Sequence, residues 1–391
     1  MHKGTSLFGQ IMMHVNRLGF QRLVLKYGAD KHAKGFSAWH QCVSMLYCHL
    51  ARATSLREIC GGLATVTGKI SHLGLNSAPK RSTLSYANAH KPWELYRDLF
   101  LALSDQCTSM WHGKRPFRFK NKLFSMDATV IDLCATMFPW AKYRQTKGAV
   151  KVHMLLDHDG YLPVFAHITD GNTHEVNVAR DWAARQRFPQ DSIVVFDRGY
   201  VDFALFADWH AQGVWFVTRL KDNIAYEVLD SNAVPKSGRI LRDELIVLTG
   251  QKAGNLPLPD FRRIVVWDEV NQREIVLLTN HLRFAASTVA DIYKDRWQIE
   301  TFFKTIKQHL RIKTFVGTSP NALKIQIWTA LCAILLLKYL KFLSAFTWSL
   351  SNLIALLRPN LFTYRDLQAW LDNPFETPPL PPDVEQLVLA F

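Results

Sequence analysis

Residues 124–133 read Phe-Ser-Met-Asp-Ala-Thr-Val-Ile-Asp-Leu. Apolar Phe124, Met126, Ala128 and Val130 alternate with Ser125, Asp127 and Thr129, the period-two pattern of a strand with one polar face. Asp127 sits mid-strand on that face. Upstream of residue 121 the apolar spacing is helical instead, with Phe8, Ile11, Met12, Val15 and then Trp39, Val43, Leu46, Leu50. A boundary between a helical front and an α/β region therefore falls near residue 120.

Downstream, Lys151–Leu156 reads as a second strand, and Asp157-His158-Asp159-Gly160 as a hairpin turn with glycine where positive φ is easy. Tyr161–Ile168 returns as a third strand. A helix follows over Thr173–Arg187, then an apolar strand at Ile193–Phe196 ending on Asp197-Arg198-Gly199-Tyr200. A helix over Asp202–Gln212 and a strand over Val214–Leu220 complete the series. Three antiparallel strands followed by right-handed crossovers to parallel ones fit an α/β fold with a ribonuclease H-like mixed sheet. That fold expects one more helix bearing a carboxylate. Here it is postponed by a β-rich insertion at about 222–286, with strands at Ile224–Leu229, Ile240–Leu248, Arg262–Trp267 and Glu274–Leu278. The helix arrives at Thr288 and runs to about Arg311. A long apolar helix starts at Asn321, and a Pro-rich tail closes the chain. The expected organisation is a small helical domain over 1–120, the α/β domain over 121–346, and a C-terminal helical and Pro-rich segment over 347–391.

Composition bears on the partner. The 391 residues carry a net charge of +14. Residues 1–120 hold 17 Lys and Arg against 5 Asp and Glu, a net +12, so nearly all the excess lies in the front third. A basic folded surface favours a polyanion, DNA before an anionic membrane. Lys80 and Arg81 open a short helix, as in a helix-turn-helix reader, although a helical bundle with a solvated basic face has the same pattern. Six cysteines form no CxxC or Cys/His zinc spacing, which points to reduced thiols in a cytosol. Ile325–Leu337 is shorter than the roughly 20 apolar residues of a bilayer span, so it reads as a buried core helix and no membrane is expected. The N-terminus has no signal-peptide pattern, and no Walker-type phosphate loop is present.

Three acids fall where this fold brings elements together: Asp127 on the first strand, Asp197 closing the fourth, Glu300 on the late helix. Singly, each has an ordinary reading as an exposed strand residue, a turn former or a salt-bridge partner. Together they suit Mg²⁺, which takes oxygen ligands. Two such ions can activate a nucleophile and stabilise the leaving oxygen at a phosphodiester. On the late helix Tyr293, Arg296, Glu300, Lys304 and Lys307 share a stripe about 80° wide, beside an apolar stripe of Ile292, Ile299, Phe303, Ile306 and Leu310. A solvated i,i+4 helix explains the pairs, but not one acid among so many cations. Arg198 beside Asp197 is a further phosphate-neutralising candidate. Asp157 and Asp159 read as turn residues, and His174 and Glu175 as a cap region or a DNA contact.

The spacing Tyr293-x2-Arg296-x3-Glu300-x6-Lys307 resembles the Y-(2)-R-(3)-E-(6)-K signature of DDE transposases of the fourth insertion-sequence family. "FSMDATVIDL", "DGNTHE" (170–175), "DRGY" (197–200), "FVTRLKDN" (216–223) and the run from Ile299 resemble that family too. The likeness spans about 120–340. It implies an enzyme that moves an insertion sequence by cut and paste through a DNA hairpin. Asp127, Asp197 and Glu300 would hold two Mg²⁺ ions, with Mn²⁺ as a substitute, while Tyr293, Arg296 and Lys307 grip phosphates and help hold a flipped base. The β insertion is also a family feature, and an aromatic in it is expected to assist base flipping. Trp267 is the only Trp there, and a buried sheet Trp is the competing explanation. The implied partners are terminal inverted repeats and target DNA, bound by a homodimer in a cytoplasmic, nucleoid-associated bacterial setting. A catalytically silent transposase-derived DNA-binding protein, or a ribonuclease H-like nuclease without strand transfer, are the alternatives.

Overall fold

The computed structural model describes residues 5–376, apart from 67–69, 135, 145–146, 186, 235–237, 252 and 310–314. The Pro-rich tail (Pro378, Pro379, Pro381, Pro382) therefore lies outside the described residues. The alternating stretch forms β1 (Leu123–Leu133). It is followed by β2 (Lys142–Arg144), β3 (Lys147–Asp157), β4 (Leu162–Asp170), β5 (Ile193–Phe196) and β6 (Trp215–Arg219), and then by β7 (Tyr226–Ser231), β8 (Ile240–Leu248), β9 (Phe261–Asp268) and β10 (Arg273–Thr279).

The ten strands among the described residues belong to one sheet. Its path is β2-β3-β1-β5-β6-β10-β9-β8-β7, with β4 also paired to β3. β1, β5 and β6 are mutually parallel neighbours, and the other pairs are antiparallel. The strands of the β-rich insertion continue this sheet: β10 pairs directly with β6, and β9, β8 and β7 extend it. Apolar β6 has no edge to expose once β10 covers it, which also removes an aggregation-prone free edge.

Helices cover both faces. The front supplies α1 (Leu7–Met13), α2 (Arg17–Lys26), α3 (Ala38–Ala51), α4 (Leu56–Ala64), α5 (Arg81–His90) and α6 (Glu94–Met110). Between strands come α7 (Glu175–Arg185) and α8 (Phe203–Ala211). After β10 come α9 (Ala286–Asp295), α10 (Trp297–His309), α11 (Pro320–Leu343), α12 (Leu350–Asn360) and α13 (Leu367–Asp372). Ala179, Trp182, Leu205, Phe206 and Trp209 of α7 and α8 pack on Phe124, Val194, Phe196 and Phe216. Val289, Ala290 and Ile292 of α9 pack on the opposite face, against Ile193, Val195 and Val217. Strand alternation assigns these two sets to opposite sides.

The expected single helix from Thr288 to Arg311 is broken. Arg296 separates α9 from α10, its N–H reaching Tyr293 O at 3.3 Å and its O taking the Ile299 N–H at 3.1 Å. These i→i+3 bonds tighten the joint. Arg296 keeps right-handed helical dihedrals (φ −50°, ψ −31°), so the apolar period runs through the break unaltered.

The front helices do not close a core of their own. Phe8, Val43, Leu46, Leu84, Leu99 and Phe100 share one cluster with Trp328, Leu331, Leu335, Ile354 and Trp370. α11 is its axis: long and apolar enough to cross a membrane by composition, it has 83% of its most apolar window buried inside the protein. Polar ties fix the arrangement, with Asn321 Nδ2 donating to Asn88 O and Lys91 O, and Leu7 N–H to Thr363 O. Each large side chain buried in this shared core contributes roughly 1.5–3 kcal/mol. A fragment of residues 1–120 would expose the faces that α11 covers. It is expected to aggregate or lose most of its helicity, measured by circular dichroism and size exclusion. A monomeric fragment with the helicity of six helices would contradict this packing.

Candidate active site

The parallel pairing of β1 with β5 sets Met126 beside Phe196. Asp127 follows on β1 and Asp197, with extended backbone, comes directly after the end of β5, so the two stand on adjoining strands roughly one strand spacing (about 4.8 Å) apart. Alternation from Leu123 and from Ile193 and Val195 places both on the face covered by α9. α10 packs on β1 and brings Glu300 to the same end.

Arg296 joins these acids. Its Nη1 donates to Asp127 Oδ2 at 3.3 Å and its Nη2 to Glu300 Oε1 at 2.8 Å. The guanidinium is 12% exposed, lies 5.6 Å from the Tyr293 ring centre, and has a buried Nε without a hydrogen-bond partner. Asp127 Oδ1 accepts the Ala128 N–H at 2.8 Å. Burial pushes the Asp127 carboxyl up to about 6; Arg296 and the Ala128 N–H oppose this, while Glu300 and Asp197 add to it. Burial also raises Tyr293, against the pull of Arg296.

The raised Asp127 has a stability consequence. A carboxyl whose folded pKa exceeds its unfolded value disfavours folding once ionised, and costs nothing when protonated in both states. In chelator, Asp127→Asn is expected to stabilise the chain by roughly 1–3 kcal/mol above pH 6, and the gain should vanish as pH falls below about 4. Urea unfolding at pH 8 and pH 4 measures this, and a gain independent of pH would contradict it.

Other sequence-derived candidates lie at varying distances from this centre. Arg198 is exposed, and with Lys221, Asp222 and Asn223 lines an open cleft of about 330 Å³ beside Asp197. Lys304 is exposed and Lys307 half-buried along α10. Lys80 and Arg81 start α5, and Arg81 faces a second open cleft with Arg57 and Phe315, with no contact to the acids. Trp267 is the penultimate residue of β9, at the same end of the sheet as the acids. Ile264 and Val266 face α9, so alternation turns Trp267 to the other side. The structure thus does not bring Trp267 to Asp127, Asp197 or Glu300. Asp157 and Asp159 are paired with Lys122 at 2.9 and 2.6 Å, in agreement with the turn reading. Glu175 begins α7 and pairs with Lys151 at 3.3 Å.

A buried tyrosine follows Asp197 closely in the sequence. Tyr200 of "DRGY" is 2% exposed, and its hydroxyl has no hydrogen-bond partner. Burial raises its pKa well above the ordinary range, with Asp127, Glu175 and Asp197 acting in the same direction, while its ring packs against Phe196 in the core under α7 and α8.

The donor set suits a hard divalent cation: carboxylate oxygens, one of them buried with its charge incompletely offset. Arg296 lies between two of the three acids. Among the described residues no group of three His, Cys, Asp or Glu side chains stands in a metal-holding arrangement. A cation shared by all three requires Arg296 to turn away from one of them.

Residues 118–336 match the transposase DDE domain family, and residues 3–76 match a domain of unknown function (DUF4372). The chain belongs to the DDE transposase domain family. The matched span contains Asp127, Asp197, Arg296 and Glu300 and ends inside α11. The chain is 29% identical over 330 residues to "Putative transposase y4zB" of Sinorhizobium fredii, covering 83% of this chain and 88% of that protein. It is 28% identical over 260 residues to "Probable transposase for insertion sequence element IS5377" of Geobacillus stearothermophilus, covering 66% and 67%. A piggyBac transposase synaptic complex with hairpin DNA aligns over 96% of this chain and 81% of that one, at 12% identity and a TM-score of 0.45.

Proposed function

We propose that this chain is a cut-and-paste insertion-sequence transposase of the fourth family, with a ribonuclease H-like core formed by β4-β3-β1-β5-β6. The observation that carries this reading is Arg296, bonded at once to Asp127 and Glu300 across 169 residues of sequence, with Asp197 on the adjoining strand. Asp127, Asp197 and Glu300 would hold two Mg²⁺ ions, with Mn²⁺ as substitute. Such ions lower the pKa of bound water and stabilise the leaving oxygen of a phosphodiester.

The chain's own groups do the rest. The buried Asp127 carboxylate, with Glu300 and Asp197 adding negative charge, would make the end of β1 a place where cationic charge is needed. Arg296 presents a planar fork able to hold a phosphate in two bonds once it leaves a carboxylate. Tyr293 supports that guanidinium, and Lys307 lies further along the same helix for a neighbouring phosphate. Arg198 and Lys221 give the cleft beside Asp197 a basic wall. The basic front, with Lys80 and Arg81, adds salt-sensitive affinity for DNA. Two chains would act together on paired terminal inverted repeats before insertion into target DNA.

The test is a paired-end assay with DNA bearing the inverted repeats that flank the gene, in Mg²⁺. The reading expects a nick at each element end, a hairpin, and products in which the freed 3′ end is joined to target DNA. Nicking without joining would favour a nuclease instead. Binding without cleavage would favour a silent DNA-binding protein.

A further inference from the structure

The β3–β4 turn does more than reverse the chain. His158 is 2% exposed, and its two ring nitrogens reach different elements. Nε2 lies 2.6 Å from Ser125 Oγ, and Nδ1 lies 2.7 Å from Asp295 Oδ2. Tyr161 donates its hydroxyl to the same carboxylate at 3.2 Å. The turn is itself held: the His158 N–H donates to Leu123 O at 2.9 Å, and Lys338 Nζ of α11 donates to Gly160 O at 3.0 Å. A carboxylate only accepts, so Nδ1 carries a hydrogen and the ring orientation is fixed from both ends.

The two ends of this chain of bonds are informative. Ser125 lies two residues before Asp127, on the same face of β1. Asp295 is the last residue of α9, directly before Arg296 and the break. Ser125, His158 and Asp295 have the composition of a hydrolase triad, but Ser125 is fully buried and no substrate carbonyl can reach it. What the bonds do connect is the strand carrying one acid and the joint from which Arg296 and Glu300 project.

We propose that His158 is a positioning residue, clamping the α9–α10 joint to β1 through Asp295 and Ser125 and thereby holding Arg296 and Glu300 against Asp127. Its consequence for catalysis rests on the proposed cleavage function, whereas the clamp itself is testable without DNA or metal. Groups that orient a catalytic centre from behind typically matter by 10- to 100-fold, because about 1 Å of misplacement is costly.

The test uses the full chain and two amide replacements. The amide of His158→Gln reaches the Nε2 position and keeps the Ser125 bond while losing Asp295. The shorter His158→Asn reaches the Nδ1 position and keeps Asp295. In His158→Gln, amide exchange over residues 294–300 is expected to quicken roughly tenfold, and nicking to slow roughly 30-fold, with affinity for end DNA within about twofold. His158→Asn is expected to return both rates to within about threefold of the parent. Indistinguishable behaviour of the two variants, or faster exchange spread along β1 and β5, would overturn the proposal in favour of a plain folding role. If the parent chain fails to nick, the function reading fails; unchanged exchange at 294–300 in His158→Gln overturns the clamp separately. Should His158→Gln not fold, Asp295→Ala removes the joint end of the clamp, and the same localised exchange is expected; its absence overturns the proposal.

Discussion

Replacing Glu300 by Gln is expected to slow DNA nicking in Mg²⁺ by about 10³-fold or more, while leaving affinity for end DNA unchanged or slightly higher. The substitution keeps shape and an accepting oxygen, so the 2.8 Å bond from Arg296 survives and the α9–α10 joint is not disturbed. What disappears is a negative charge. A hard cation loses a carboxylate ligand, and nearby DNA phosphates lose a repulsive neighbour. Glu300 has a third of its side chain exposed, so little packing is lost and thermal stability should hold. Filter binding and denaturing gels on the same end DNA separate the two effects. Nicking by Glu300→Gln at the rate of the parent chain would remove Glu300 from the active site.

Arg296→Ala is expected to act differently. Hairpin formation should fall roughly 100-fold and first-strand nicking roughly 10-fold, because the bidentate grip that positions a cleaved phosphate has gone while all three acids remain. Arg296→Lys should not restore hairpin formation, since a point charge cannot replace the planar fork. The alanine variant also leaves Asp127 and Glu300 without the guanidinium they share, and the Asp127 carboxyl, already pushed up to about 6, should rise further. Time courses that resolve nick, hairpin and joined product measure the split. Equal loss at every step, with stability unchanged, would make Arg296 a support for the acids with no role on DNA.

The parts of this centre differ in how far the sequence could show them. β1 and β5 are legible because their alternation is local, and Asp127 and Asp197 follow from strand ends that pair in parallel. The stripe of Tyr293, Arg296 and Glu300 is legible because helical spacing keeps those side chains on one side. The break at Arg296 is hidden, since its dihedrals stay helical and the apolar residues on either side keep their period. The bonds of His158 are hidden for another reason: its partners lie 33 and 137 residues away, and nothing local to Asp157-His158-Asp159-Gly160 distinguishes a clamp from a turn. The front boundary at residue 120 marks a true change of periodicity but not a division of the core. α11 is apolar all round and visibly needs burial, yet its sequence does not name α3, α5 and α6 as the helices that bury it. The side to which Trp267 turns is readable, because Ile264 and Val266 fix the parity of β9.

The central claim, that three acids distant in sequence form one metal centre, is tested most directly by iron-directed cleavage of the protein itself. Fe²⁺ replaces Mg²⁺ at hard oxygen sites, and ascorbate with peroxide then generates radicals that cut the backbone beside the ion. The account predicts cuts grouped near residues 127, 197 and 300, suppressed together by excess Mg²⁺ and lost together in Asp127→Asn. Cuts confined to one of the three positions, or unchanged in Asp127→Asn, would contradict it.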